Sequence, residues 1–252
     1  MAERRNPEQE RAHRRRQLVL TLRAFALAGF DEGAGGHVTA RDPIDPDTFW
    51  INPFGRHFAH VRDDDLLRVD HTGDVVDGSG RINPAGYAIH SAIHKARPDV
   101  VAAAHTHSIH GRAFSALGRP LAPITQDACA FFEDHEVHDE YGGVVLDGAE
   151  GDRIAATLGT GKAVVLRNHG LLTVGGSVAE AAWWFLAMDR CCQVQLLAQA
   201  AGDLVVIPAD AARAARADIG TAQIARLNFR PVAEHVLAVS PDLTHGTTPR
   251  QE

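Results

Sequence analysis

The segment ARPDVVAAAHTH, residues 96–107, carries the pattern that decides the fold. Pro98 marks the end of a preceding helix, because the residue before a proline is biased away from the helical conformation. The apolar run after it predicts a short buried strand over residues 100–106. His105 and His107 stand at the end of that strand, two residues apart and therefore on the same face. At a spacing of roughly 6.5–7 Å along the strand, both imidazoles can bend onto one metal ion.

A third imidazole is available from His169, which follows a second apolar strand predicted over residues 163–166. Three neutral imidazoles would leave a divalent metal with an open coordination position, which is typical of catalytic rather than structural sites. The spacing by itself leaves two interpretations open, a metal site or polar residues that simply end strands.

Two other histidine pairs are weaker candidates for metal ligands. His90 and His94 are spaced i, i+4 in a predicted helix, but no Glu lies between them as in zinc proteases, and we interpret them as partly buried helix residues. Residues 119–143 are polar and predict an irregular segment. His135 and His138 fall in that segment, and we interpret them as part of a solvated loop.

Helices and strands alternate along the rest of the chain, which favours a single α/β domain. The core is expected over about residues 8–202. Residues 203–252 form a C-terminal extension, whose tail after Ser240 is polar and expected to be loose. The predicted helices cover residues 8–28, 84–96, 108–116 and 178–201, and the predicted strands cover residues 37–40, 48–51, 100–106 and 163–166.

The chain has 252 residues, of which 45% are hydrophobic, and a net charge of −7. This composition excludes a disordered chain, and the negative charge argues against nucleic acid as the main partner. Cys129 stands alone and Cys191 and Cys192 are neighbours. Such spacing is no disulfide framework and favours a reducing, cytoplasmic compartment. The early apolar run over residues 18–30 contains Arg23 and is too short to span a bilayer, so we expect no membrane partner.

Five segments of the sequence fit one known pattern in the same order. GHVTAR (36–41), INPAG (82–86), ARPDV (96–100), AHTH (104–107) and RNHGLL (167–172) together resemble the class II aldolase/adducin family. The resemblance runs from about Leu18 to Gly202. It implies a central, mostly antiparallel β-sheet flanked by helices in an α/β/α arrangement, in a single domain that spans residues 1–252.

The resemblance also implies a metal site and an assembly. His105, His107 and His169 would bind one divalent cation per subunit, with zinc expected first and manganese, iron or cobalt also compatible with three imidazoles. Members of the family are usually homotetramers with the active site at a subunit interface, and we expect the same here.

Two catalytic groups of the family's sugar-phosphate aldolases are absent at the matching positions. The Glu that serves there as acid/base, four residues before the helix histidine, is Gly86 in this sequence, and the proton-donor Tyr falls on Gln126. The Asn of the early loop falls on His37, which we interpret as an acid/base or carboxylate contact, although a loop histidine satisfied by backbone is the simpler alternative. Glu133 and Tyr141 of a neighbouring subunit could supply the missing proton transfer.

The hydroxyls that bind phosphate in those aldolases are absent as well. Serines of the family fall on Pro84 and Ala85, and the serine of a second loop falls on Phe54, beside Gly55. A phosphorylated sugar would therefore lose its hydroxyl donors. Retro-aldol cleavage needs both a base and an acid, whereas decarboxylation needs an electron sink and a proton donor but no base at a hydroxyl.

These departures predict a divalent-metal-dependent carbon–carbon lyase. It would decarboxylate, or cleave by a retro-aldol step, a non-phosphorylated hydroxy/keto or hydroxyaryl carboxylate through a metal-stabilised enolate. Arginine binds carboxylates bidentately, and Arg41, Arg56 and Arg81 lie beside the loops that would hold substrate, although Arg56 could equally be an ordinary surface residue. The expected substrate-binding residues are Gly36, Asn52, Gly55, Arg56 and Arg81, and the expected catalytic residues are His37, Gln126, Glu133 and Tyr141.

Two other functions stay open at this point. A non-catalytic scaffold of the adducin kind shares the fold but lacks the metal histidines, and the replacements at Gly86 and Gln126 are its best support. A sugar-phosphate aldolase or epimerase on the same fold is disfavoured by the missing phosphate serines.

Overall fold

The computed structural model describes residues 5–143 and 148–243. This part of the chain contains seven α-helices and eight β-strands, and none of these helices is long and apolar enough to cross a membrane. The helices are α1 (Pro7–Leu27), α2 (Pro84–Ala96), α3 (Ile109–Ser115), α4 (Gly148–Leu158), α5 (Val178–Ala201), α6 (Ala209–Ile219) and α7 (Ala222–Val239). The strands are β1 (His37–Arg41), β2 (Phe49–Ile51), β3 (Leu67–Val69), β4 (Val75–Asp77), β5 (Ala102–Thr106), β6 (His135–His138), β7 (Ala163–Leu166) and β8 (Gly170–Gly175).

All eight strands form one sheet in the order β4-β3-β2-β1-β5-β8-β7-β6. Neighbouring strands pair antiparallel except β6 and β7, which are parallel. The expected α/β domain with a central, mostly antiparallel sheet is confirmed. Strand β5 lies in the middle of this sheet, so that His105 pairs with His37 of β1 on one side and with Leu172 of β8 on the other.

Helices cover both faces of the sheet. Ala102 and Ala104 of β5 pack into one apolar core together with residues of α1, α5 and α7. Ala103 points to the opposite face, as alternation along a strand requires, and packs into a second core with residues of α2 and α4. The chain therefore has the three-layer α/β/α arrangement that the resemblance implies.

Capping residues fix the N-terminal ends of the two longest helices. The Asn6 side chain accepts a hydrogen bond from the Gln9 backbone N–H, and the Gln9 side chain accepts one from the Asn6 N–H, so α1 begins with a capping box. Helix α5 begins after Ser177, whose side chain accepts a hydrogen bond from the Glu180 N–H. The predicted ends of α1, α2 and α5 are confirmed to within one residue.

Asp42 ties α1 to the end of β1. Its buried carboxylate accepts hydrogen bonds from Arg11 at 2.8 and 2.9 Å and from the Trp50 indole N–H at 2.7 Å. Burial acts to raise the pKa of this carboxyl, but the hydrogen bonds from Arg11, Trp50 and the neighbouring backbone lower it to about 2. Asp42 is therefore ionised in the folded protein and joins the helix to the sheet.

The prediction of an irregular segment over residues 119–143 is wrong. It contains a short 3-10 helix, Asp127–Phe131, and the strand β6. His135 and His138 lie in β6 and are buried, so they do not belong to a solvated loop. Both nitrogens of the His138 ring have partners within the protein, since Nδ1 lies 2.9 Å from Thr157 Oγ1 and Nε2 lies 3.2 Å from the carboxylate of Glu150. β6 escaped prediction because a short polar strand at a sheet edge has no apolar run to mark it.

The described part of the C-terminal extension forms α6 and α7, which contact α5 and the 3-10 helix. Lys162 ties this extension to the core, because its ammonium group donates hydrogen bonds to the Ala130 carbonyl at 3.1 Å and to the Gly220 carbonyl at 2.6 Å. The same group lies 4.3 Å from the centre of the Trp184 ring. The tail predicted to be loose reaches residues 244–252, which lie outside the described residues.

Candidate metal centre and active site

Three histidines converge at one end of the central strands. His105 and His107 stand at the end of β5, and His169 stands in the turn between β7 and β8. One ring nitrogen from each lies within 4.8 Å of the others, and the Nε2 atoms of His107 and His169 are 3.1 Å apart. The turn that presents His169 contains Asn168 at a φ of 58°, a left-handed conformation that Asn tolerates better than most residues.

The hydrogen bond that His105 makes leaves its Nε2 atom free. Its Nδ1 lies 2.7 Å from the Leu171 carbonyl and donates to it, so the neutral ring carries no proton on Nε2. That Nε2 is buried and has no hydrogen-bond partner among the residues that the structure describes. A ligating histidine typically binds a backbone carbonyl through its other ring nitrogen in this way.

Burial keeps the three rings neutral at pH 7. Burial, followed by the neighbouring His169, lowers the pKa of His105 well below its ordinary value. Burial and then His107 lower the pKa of His169 to about 4, and burial also lowers that of His107. Neutral imidazole is the form that binds metal. The donor set, its protonation state and the orphaned Nε2 of His105 all fit a divalent metal.

A glycine turn packs directly against His107 and Phe58. A Cβ atom added at Gly35 would lie 2.6 Å from Nδ1 of His107, and one added at Gly36 would lie 2.6 Å from Cζ of Phe58. Real Cβ atoms essentially never make contacts this short. Gly35 therefore allows the turn to approach His107, and Gly36, which is predicted to bind substrate, allows it to pack against Phe58.

His37 occupies the space that a side chain at position 86 would need. Its ring centre lies 4.9 Å from that of His105, and a Cβ atom added at Gly86 would lie 2.5 Å from Cδ2 of His37. The His37 ring is buried and its Nδ1 lies 2.9 Å from Nε2 of His90. The two replacements noted in the sequence, His37 and Gly86, thus compensate each other in space.

His90 and His94 lie in helix α2 as expected, but the prediction that they are only partly buried is wrong, because both are buried. Thr39 Oγ1 lies 2.7 Å from His90 Nδ1 and 2.9 Å from His94 Nε2. Sequence reasoning missed this group, although the signal exists. Residues 37 and 39 share one face of β1, and residues 90 and 94 share one face of α2.

Asn52 and Gly55 shape the loops beside the site. The Asn52 side chain accepts a hydrogen bond from the Val38 N–H at 2.9 Å and donates one to the Gly36 carbonyl at 3.3 Å. Asn52 therefore braces the glycine turn. Gly55 has a φ of 79°, which a residue with a side chain rarely adopts.

The three arginines named in the sequence have different surroundings. Arg41 donates hydrogen bonds to the carbonyls of Val100 and His94, so it supports backbone. Arg56 is paired with Asp65 at 3.0 Å. The side chain of Arg81 is exposed and forms no hydrogen bond or ion pair with the described part of the chain. Of the three, Arg81 has the cation that is most available to a ligand.

Comparison with known proteins identifies the family of this chain. The family model described as class II aldolase and adducin N-terminal domain matches residues 16–196, which is most of the chain. The chain belongs to this family. It is 48% identical to a Streptomyces roseochromogenus subsp. oscitans protein named 4-hydroxy-3-prenylphenylpyruvate oxygenase/4-hydroxy-3-prenylbenzoate synthase, over 93% of this chain and 86% of that protein. It is 47% identical to decarboxylase NovR of Streptomyces niveus, over 93% of this chain and 88% of that protein.

Other members of the class II aldolase/adducin family are similar in structure or in part. A solved structure of L-fuculose 1-phosphate aldolase from Glaciozyma antarctica PI12 superposes with a TM-score of 0.89 at 40% identity, covering 96% of this chain and 95% of that one. Rat alpha-adducin is 36% identical over 74% of this chain, but the match covers only 26% of adducin. Because the two Streptomyces enzymes match over nearly their whole length, this class II aldolase family member is a lyase-type enzyme.

The remaining predicted catalytic residues lie on the surface of this family member. Gln126 is exposed just before the 3-10 helix. Glu133 is exposed and binds Arg213 at 2.9 Å, and this hydrogen bond holds the pKa of Glu133 below its ordinary value. Tyr141 is 57% exposed. Within the described residues, none of the three forms a hydrogen bond with the histidines, so a role for them in catalysis is a prediction about an assembled oligomer.

Proposed function

We propose that this protein is a divalent-metal-dependent carbon–carbon lyase that decarboxylates a non-phosphorylated hydroxyaryl or keto carboxylate. The observation that carries the proposal is the convergence of three neutral histidines beside a site that lacks the aldolase acid/base and phosphate groups. Gly86 stands where the acid/base Glu would be, and Pro84 and Ala85 stand where the phosphate serines would be. Such a site keeps the histidines for a metal that can act as an electron sink, and it lacks the hydroxyl groups that would bind a sugar phosphate.

Each part of the site has a role in this proposal. His105, His107 and His169 hold the metal, which when bound supplies a Lewis acid for a substrate oxygen. His37 contacts the substrate beside His105, and Arg81 binds a carboxylate. Loss of carbon dioxide breaks the bond between the carboxyl carbon and its neighbour, and the electron pair left on that neighbour takes up one proton.

We assign the source of that proton to a neighbouring subunit. We propose a cytoplasmic homotetramer whose active sites lie at subunit interfaces, so that Glu133 and Tyr141 of one subunit serve the site of another. Gln126 orients the substrate by hydrogen bonding, since an amide cannot exchange protons readily at neutral pH. Zinc is the first metal to test, with manganese, iron and cobalt as the alternatives.

A second candidate function is oxygen-dependent cleavage of an aryl-2-oxo acid. It is favoured by the 48% identity to a protein whose name includes phenylpyruvate oxygenase. In a 2-oxo acid the carboxyl group is bonded to the carbonyl carbon itself. Simple loss of carbon dioxide would leave the electron pair on the carbonyl carbon, where no enolate forms. With dioxygen as the oxidant the same bond breaks and carbon dioxide leaves, one oxygen atom turns the remaining carbonyl into a carboxylate, and the other is inserted into the substrate as a hydroxyl, so that no external reductant is needed.

The test is carbon dioxide release from the purified protein loaded with each candidate metal. Hydroxybenzoates, β-keto acids and arylpyruvates are supplied with and without oxygen, and fuculose 1-phosphate is supplied in parallel. Metal-dependent release from hydroxyaryl or β-keto carboxylates without oxygen supports the proposal. Release from arylpyruvates only with oxygen supports the second candidate, and cleavage of the sugar phosphate with no carbon dioxide from any carboxylate refutes both. The Arg81→Ala variant should raise KM for a carboxylate substrate, whereas Arg230→Ala, which removes an exposed arginine of α7 paired with Glu234, is the matched control.

A further inference from the structure

A line of hydrogen bonds runs from His37 into the core of the protein. His37 Nδ1 is 2.9 Å from His90 Nε2, His90 Nδ1 is 2.7 Å from Thr39 Oγ1, and Thr39 Oγ1 is 2.9 Å from His94 Nε2. We call these four residues the histidine line. Thr39, His90 and His94 are all buried, so water does not compete for these bonds.

The protons along this line must all point the same way. Each neutral imidazole carries one N–H and one acceptor nitrogen. The Thr39 oxygen could accept from both rings, but among the described residues its O–H meets no acceptor other than His90 Nδ1 and His94 Nε2, so it donates to one ring and accepts from the other. His37, His90 and His94 are all buried, and none of them is hydrogen-bonded to a carboxylate of the described chain, so the three rings are neutral. Only two arrangements then remain, one with every proton directed towards His37 and one with every proton directed away from it.

The inner end of the line decides between the two arrangements. His94 Nδ1 is buried and makes no hydrogen bond with the described residues. A buried N–H without a partner is rarer and more costly than an acceptor without one. The proton of His94 therefore belongs on Nε2, where it is donated to Thr39. The Thr39 hydroxyl then donates to His90 Nδ1, and His90 Nε2–H donates to His37 Nδ1.

Among the described residues, the Val100 carbonyl is the group that could reverse this order. It is close enough to His94 to favour the protonated form of that ring and could accept a second hydrogen bond beside the one from Arg41 at 3.2 Å, but His94 Nδ1 makes no hydrogen bond to it. A hydrogen bond from His94 Nδ1–H to Val100 would place the His37 proton on Nδ1. The direction of the line is thus a property that experiment can read.

We propose that Thr39, His90 and His94 hold His37 in the tautomer whose proton is on Nε2, and that this N–H donates a hydrogen bond to the substrate oxygen beside His105. The second half of this inference rests on the proposed function. The hydrogen bond that His37 makes with the described residues uses Nδ1, and Gly86 leaves room for the other side of the ring, since a Cβ at position 86 would lie 2.9 Å from Nε2. A neutral imidazole that donates to an oxygen where negative charge develops stabilises the transition state without giving up its proton. Thr39, His90 and His94 are positioning residues, because they act only through His37.

The tautomers are measured by long-range proton–nitrogen NMR of the zinc-loaded protein labelled with nitrogen-15 at histidine, with His37→Asn used to assign the His37 signals. The line predicts that His37, His90 and His94 each carry their proton on Nε2. A proton on Nδ1 of His37 would overturn the proposal. Addition of 4-hydroxybenzoate should shift the His37 Nε2–H signal, and an unchanged signal under saturating probe would overturn the donor role.

Three threonine variants isolate the contribution of the line. Thr39→Val keeps the shape of the side chain but removes the hydroxyl, so His90 should populate both tautomers, whereas Thr39→Ser should restore the single one. Thr21→Val is the matched control, because Thr21 is also fully buried and its hydroxyl has no partner in the described chain. Unchanged tautomers in Thr39→Val would overturn the proposal. If Thr39→Val does not fold, the spectra of the wild type and of Thr39→Ser still decide it.

Activity provides a separate test. Thr39→Val should lower kcat about 10- to 100-fold, which is less than the loss expected when a transition-state donor is removed altogether. The amount of bound metal should not change, and Thr39→Ser should recover the activity. If no carboxylate is turned over but the predicted tautomers are found, the proposed function fails and the positioning of His37 stands. If turnover is found with the His37 proton on Nδ1, the proposed function stands and the proposed positioning of His37 fails.

Discussion

Gly35→Ala is expected to weaken metal binding while leaving the fold intact. The new Cβ atom would lie 2.6 Å from Nδ1 and 2.8 Å from Cε1 of His107, where ordinary contact begins at 3.4 Å. The imidazole must therefore retreat by about 0.8 Å. Since His107 carries a candidate ligand nitrogen, the cost falls on the geometry of the metal site and not on the core.

The size of the effect follows from the tolerance of metal sites. Ligand distances in metal sites are held within about 0.2 Å, and the required movement is several times larger. Changes that misorient a ligand typically cost about 10- to 100-fold in affinity, or roughly 1.4–2.7 kcal/mol. Stability should change by less than about 1 kcal/mol, because Gly35 is not in the left-handed region and Ala reduces the entropy of the unfolded chain.

The measurement is a competitive zinc titration with a chromogenic chelator, with urea unfolding of the same samples. Gly148→Ala is the matched control, because a Cβ atom there meets nothing within 4 Å and its φ is not left-handed. Zinc affinity should fall about 10- to 100-fold in Gly35→Ala and stay within twofold of wild type in Gly148→Ala. Wild-type affinity in Gly35→Ala would refute the placement of the glycine turn against a metal ligand.

Three further predictions concern stability. Asp42→Asn should lower the free energy of unfolding by about 2 kcal/mol at pH 7, because the pKa falls from 3.8 to about 2 on folding. This contribution is present above the unfolded pKa and is lost as the pH falls from about 4 towards 2, so a difference that does not shrink in urea titrations over that range would contradict it. Gly86→Ala should destabilise the protein by about 1–3 kcal/mol through contact with His37, and His37→Asn should relieve part of this loss; strictly additive effects in the double variant would show that His37 is not the obstacle. Lys162→Met should cost about 1–3 kcal/mol and speed hydrogen exchange in α6, and wild-type exchange there would show that Lys162 does not anchor the extension.

The fold could be predicted where local chemistry specifies it. Asn6 with Gln9 and Ser177 with Glu180 mark the starts of α1 and α5 by hydrogen bonds that involve neighbouring residues only. Strand β6 could not be predicted in the same way, because His135 and His138 become buried only when the strand pairs with β7 and when α4 covers it. That environment is created by tertiary contacts that leave no pattern in the segment itself.

The sequence predicted the metal histidines of the candidate site but not the residues that pack behind His37. Spacing and resemblance together selected His105, His107 and His169, since two of them share a strand end and the third follows another apolar strand. Spacing indicates that His37 and Thr39 share one face of β1 and that His90 and His94 share one face of α2, but it does not show that the two faces meet, because that depends on how closely α2 packs on β1. The compensation between His37 and Gly86 has the same origin.

The most direct test of the central claim is the metal content of the purified protein, measured beside a His105→Ala/His107→Ala variant. The account predicts close to one divalent metal per subunit after loading in the wild type and loss of that metal in the variant, with circular dichroism showing that both are folded. A folded wild-type protein that binds no divalent metal after loading would contradict the account and would favour a non-catalytic, adducin-like role.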